Sequence, residues 1–213
     1  MDNLEKRVLT LNNDIQFRAV EEEDGRKFIE GYAAVFNSRS KLIMEMGELF
    51  YEEIERGAFA DVLQEDGLDV YLTFNHSRDY VIARTVNDSL KLSEDDTGLW
   101  FRAEIPNVSY ANDTYELVKN GTFFENSFAF AVDSDGFRWS ETEDNIPLRI
   151  VNKIRRLVDV SVVTKGAYAD TTVAARELQE YRDSADETAS QTGNEEDVPN
   201  MDEQERMKMK IKF

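Results

Sequence analysis

The chain has no cysteine and only one histidine among its 213 residues. The first absence excludes disulfides, thiolate metal sites and a cysteine nucleophile, and it is compatible with an intracellular location. The second argues against catalytic zinc, which normally takes two or more nitrogen or sulfur ligands. An all-carboxylate magnesium site survives the counting, although no tight acidic motif sits beside the histidine. No run of about 18 apolar residues occurs and no basic leader precedes an apolar segment, so neither a membrane span nor a secretory signal is predicted, and the chain reads as soluble and cytosolic. Cations are scarce as well: 25 Lys and Arg stand against 44 Asp and Glu, for a net charge of −19. Such a charge repels nucleic acid and anionic membranes, and neither is expected as a partner.

What is present suffices for one domain, since 41% of the residues are hydrophobic and a chain of this length can bury a real core. From about Asp183 the apolar content collapses into "DSADETASQTGNEEDVPNMDEQER", which has the composition of a disordered segment. Residues 183–213 hold nine acidic and four basic residues, which leaves −14 of the charge on residues 1–182. The organisation predicted is a folded domain over 1–182, an acidic linker over 183–206 and a terminal peptide over 207–213. In that peptide Met207, Met209, Ile211 and Phe213 alternate with Lys208, Lys210 and Lys212. It is either a frayed terminus or a short strand that docks on a sheet edge of a partner.

Strand signals predominate, with helices inserted. "DIQFRAV" alternates, "GRKFIEGYAAVFN" and "GLDVYLTFNH" read as extended, and "SLKLSEDDTGLWFRAEIP" reads as a hairpin turning at "EDDTG". "ERGAFADVLQEDG" predicts a short helix with Phe59, Val62 and Leu63 on one side, and "YANDTYELVKNG" predicts another that ends near Gly121. "FFENSFAFAVD" and "RRLVDVSVVTK" read as strands separated by an acidic loop.

Three polar residues stand out. Strand parity puts Leu68, Val70, Leu72 and Phe74 on one face, and His76 is predicted to end it. A lone histidine there is ordinarily a rim residue bonded to backbone. Ser127 shares its face with Glu125, Ala129 and Ala131, a face cleared of bulk either for packing or for the approach of a peptide. Asp159 lies on a face with Leu157, Ser161 and Val163 inside a β-branched run, and a buried carboxylate there needs a partner. Arg155 or Arg156 would serve, and so would His76. In chain order the three residues supply a base, a nucleophile and an orienting acid. A serine with a lysine base is the competing arrangement.

The order of "EGYAAVFN", "ERGAF", the strand ending in "NH", the serine strand after "VKNG" and "LVDVSVVTKGAYADTTV" resembles the prohead maturation proteases of tailed bacteriophages, whose fold is similar to herpesvirus assemblin. The resemblance covers roughly residues 12–175. It implies an α+β fold with a mainly antiparallel β-barrel core and inserted and flanking helices. It also implies a serine endopeptidase without a cofactor, with His76 as general base, Ser127 as nucleophile and Asp159 as the third member. Substrates implied are the major capsid protein or its scaffold segment and the protease itself, cut in the host cytoplasm inside the assembling procapsid. Homo-oligomerisation is left open. Three departures from the family pattern are visible: "NSFAF" around Ser127, aspartate where glutamate is frequent, and "KGAYADT" in place of a proline-alanine turn. They keep a second reading open, a catalytically inactive capsid-assembly or scaffolding protein on the same fold.

Overall fold

The computed structural model describes residues 4–9, 17–45 and 48–164. In chain order the strands are β1 (Glu5–Leu9), β2 (Arg18–Glu21), β3 (Lys27–Val35), β4 (Ile43–Glu45), β5 (Glu48–Ile54), β6 (Tyr71–Phe74), β7 (Ser77–Arg84), β8 (Leu90–Glu94) and β9 (Gly98–Glu104). Helix α1 (Ser109–Lys119) follows, and then β10 (Glu125–Ala131), β11 (Phe137–Glu141), β12 (Pro147–Val151) and β13 (Arg156–Val163). They form three sheets, ordered β1-β10-β13-β6-β7, β11-β12-β5-β4 and β2-β3-β9-β8. All neighbouring pairs are antiparallel except β13 with β6 and β12 with β5.

The molecule is therefore mostly sheet with few helices. Each sheet has two free edges among the described residues, so the β-barrel that the resemblance implies is not seen as a closed ring. Phe36, just beyond β3, bridges Ile54 of β5 through the backbone, and side chains join all three sheets. Ile29 and Phe101 from one sheet, Leu72, Phe128 and Val160 from another, and Ile54 and Val151 from the third belong to one hydrophobic cluster. The glycine of "EGYAAVFN" has a packing reason: a Cβ on Gly31 would lie 2.3 Å from the Cα of buried Phe17, far inside van der Waals contact.

The helix predicted over "ERGAFADVLQEDG" is instead a series of turns with one 3₁₀ turn, Val62–Gln64. Gly57 and Gly67, with φ of +91° and +75°, bracket a stretch too short to repay helix nucleation. Phe59 and Val62 are nevertheless buried there. Helix α1 forms where predicted, and Gly121 at φ +76° follows its last turn, as a left-handed cap does. Much of the stretch read as an acidic loop is the hairpin β11–β12, anchored by the parallel pairing of β12 with β5. Ile15, "KGAYADTTV", the linker and the terminal peptide lie outside the described residues. No described helix is long and apolar enough to cross a membrane.

Candidate active site

His76 does not end the apolar face of its strand. Phe74 pairs with Ser77 across the β6–β7 hairpin, which leaves Asn75 and His76 as a two-residue turn with φ of +52° and +56°. This is the left-handed shape that tight hairpins need, usually met by Asn-Gly. Asparagine tolerates it, but a histidine there is strained by roughly 1–3 kcal/mol, a cost commonly found at functional sites. Hydrogen bonds to β13 hold the turn in place. The Asn75 N–H donates to the Val162 carbonyl at 2.9 Å, and the Thr164 N–H donates to Asn75 Oδ1 at 3.0 Å. The His76 N–H donates to Ser161 Oγ at 3.2 Å.

Because β13 lies between β10 and β6, the turn reaches both of the other residues. Ser127 on β10 pairs across from Ser161, and Asp159 on β13 pairs across from Ala129, whose small side chain adds no bulk above the carboxylate. Asp159 is 4% exposed and Ser127 is fully buried. The His76 Nδ1 lies 2.7 Å from Asp159 Oδ1, and its Nε2 lies 2.8 Å from Ser127 Oγ. A carboxylate only accepts, so Nδ1 carries the proton and Nε2 of the neutral ring is left able to accept, while the single hydrogen of the Ser127 hydroxyl also has the Arg7 main-chain carbonyl within reach at 2.8 Å. The carboxylate thus has the histidine as its partner, across one methylene fewer than glutamate would offer.

Ser161 belongs to the same cluster, and residue patterning assigned it no part in the site. Its hydroxyl donates to Asp159 Oδ1 at 3.2 Å, and it lies 2.5 Å from Thr73 Oγ1 and 3.1 Å from His76 Nδ1. The signal was the Asp-Val-Ser spacing, which puts two polar side chains on one face of a buried strand. The arginine pair is elsewhere. Arg156 pairs with Ala131, and Arg155 Nε lies 2.8 Å from Asp133 Oδ1. At the strand rise per residue this is about 13 Å along β10 from Ser127. Among the described residues no group of three His, Asp or Glu is placed to hold a metal ion.

Set against known proteins, the solved structure of the bacteriophage T4 capsid assembly protease, gp21, aligns with a TM-score of 0.44 and 10% identity, over 75% of this chain and 96% of that one. No curated protein matches the sequence. A family model described as caudovirus prohead serine protease matches residues 13–184, a span that contains His76, Ser127 and Asp159. The chain belongs to the caudovirus prohead serine protease family.

Proposed function

We propose that the chain is a serine endopeptidase of procapsid maturation, with Ser127 as nucleophile, His76 as general base and Asp159 as the group that orients the imidazole. The observation that carries this reading is the unbroken line Asp159–His76–Ser127, at 2.7 and 2.8 Å, assembled from residues on three separate elements. Ser127 Oγ would attack a peptide carbonyl while His76 Nε2 takes its proton. The imidazolium, stabilised by Asp159, then gives that proton to the departing amine. Water hydrolyses the acyl-enzyme by the same route in reverse.

Membership in a prohead protease family supports the major capsid protein or its scaffold segment as substrate, and the inside of the assembling procapsid in the host cell as the place of action. The second reading, an inactive assembly protein on this fold, draws on the complete burial of Ser127. Co-expression of the protein with its capsid precursor separates the two. The protease reading expects a capsid chain shortened by a defined mass, and an uncut precursor in assembled particles would support the inactive protein.

A further inference from the structure

Three hydroxyl side chains cross the sheet in one row. Ser127 on β10 pairs with Ser161 on β13, and Ser161 pairs in turn with Thr73 on β6. Residues paired across strands put their side chains on the same face, so the row runs from the proposed nucleophile to the strand that leads into the His76 turn. All three are fully buried. The proposed chemistry uses only the first, and a buried hydroxyl whose hydrogen finds no acceptor is destabilising. That condition fixes which way the other two point.

A hydroxyl has one hydrogen to give and two lone pairs to fill. Ser161 Oγ accepts the His76 N–H at 3.2 Å, and it lies 2.5 Å from Thr73 Oγ1, 3.1 Å from His76 Nδ1 and 3.2 Å from Asp159 Oδ1. Among the described residues Thr73 Oγ1 has Ser161 as its one hydrogen-bond partner. Were Ser161 to donate to Thr73, the Thr73 hydrogen would be stranded in the interior. Thr73 therefore donates to Ser161, and Ser161 donates to Asp159, which only accepts. Both lone pairs of Ser161 are then filled, one by Thr73 and one by the His76 N–H. The proton on His76 Nδ1 is left with a single acceptor, Asp159 Oδ1 at 2.7 Å. Without Thr73, the Ser161 hydroxyl could turn and offer Nδ1 a competing oxygen.

We propose that Ser161 and Thr73 are positioning residues of this site, a two-hydroxyl relay that directs the Nδ1 proton of His76 to Asp159 and keeps Nε2 turned to Ser127. This rests on the serine protease reading above. Neither residue is placed to touch substrate, and both act through His76 and Asp159. One oxygen of Ser161 serves two purposes. It accepts from the backbone of His76, whose φ of +56° persists only where surrounding contacts hold it. Its hydrogen is also the second donor to Asp159 Oδ1, beside Nδ1. Removing the hydroxyl loosens the turn and the carboxylate together, and a base displaced from its nucleophile loses rate steeply. Thr73 acts one step further out, by keeping the Ser161 hydrogen aimed at the carboxylate.

The test uses the full chain and two readouts, the imidazole signals and the rate at which a fluorophosphonate labels Ser127. Because the chain has one histidine, ¹⁵N-histidine labelling gives a single imidazole to observe. With the ring neutral, the wild type should show a far-downfield proton coupled to Nδ1 and a bare Nε2. Ser161→Ala should broaden that proton beyond detection and slow labelling about thirtyfold, the order of one hydrogen bond to a charged group. Thr73→Val, which keeps the shape and loses the hydroxyl, should shift the proton upfield and slow labelling about fivefold, and it serves if Ser161→Ala does not fold. The double variant should be no slower than Ser161→Ala, since Thr73 acts through Ser161. Ser161→Thr and Thr73→Ser keep the hydroxyls and should restore the signal and most of the rate. A folded Ser161→Ala or Thr73→Val with an unchanged downfield proton and a wild-type labelling rate overturns the proposal. So does a loss of rate that the hydroxyl-keeping variants share. A wild type that takes no label on Ser127 overturns the protease reading beneath it, and the imidazole signals then still decide whether the two hydroxyls direct the Nδ1 proton.

Discussion

Ser127→Ala is expected to lower kcat for peptide hydrolysis by about 10⁶-fold, and His76→Asn to do nearly the same, with the double variant hardly worse than either. The non-additivity follows from the chemistry: a serine hydroxyl without an acceptor is a poor nucleophile, and an acceptor without the hydroxyl has nothing to activate. Asparagine is the suitable replacement for His76, because it tolerates the left-handed backbone at φ +56° that an alanine would strain. Ser127→Ala removes a hydroxyl from a closely packed strand and should cost no more than about 1–2 kcal/mol of stability. Melting curves beside the rates separate lost chemistry from lost fold. A His76→Asn protein that kept its activity would point to a lysine base instead.

Asp159→Asn should lower kcat by about 10⁴-fold with KM little changed. The carboxylate can only accept, which fixes the proton on Nδ1 and leaves Nε2 free to take the proton of Ser127. An amide presents a donor as well as an acceptor, and when its NH₂ faces Nδ1 the ring must carry its proton on Nε2, where it no longer acts as a base. Stability should change little, since a neutral group of the same shape replaces a buried charge, and the NH₂ in the place of Oδ1 can donate to Ser161 Oγ, which then accepts. A drop of less than about tenfold would mean that the carboxylate holds the turn in place without setting the tautomer.

The residues proposed for the site stood out in the sequence, but the way they meet did not. Alternation exposed Ser127 on a face of small side chains, and it marked Asp159 as a carboxylate in a run of valines that had to find a partner. His76 was placed on the wrong feature, because parity carried the strand two residues too far. Asn75 and His76 form the turn, and a left-handed histidine leaves no mark in hydrophobic periodicity. The β11–β12 hairpin was missed because "ETEDN" reads as loop while its flanking strands "FRWSE" and "PLRIV" are too short and too polar to show a clean period. The parallel pairing with β5 that stabilises it is a long-range fact. The pairing of β1 with β10 was hidden for the same reason: nothing local in "EKRVL" points to a strand so far away in sequence. Helix α1 and the β8–β9 hairpin were legible because their signals are local.

The most direct test is to treat the purified full-length protein with a fluorophosphonate and locate the adduct by mass spectrometry of its peptides. The account predicts one covalent adduct, on Ser127 Oγ, formed by the wild type and lost in His76→Asn. An adduct on any other residue, or labelling of Ser127 that is undiminished without His76, would contradict it.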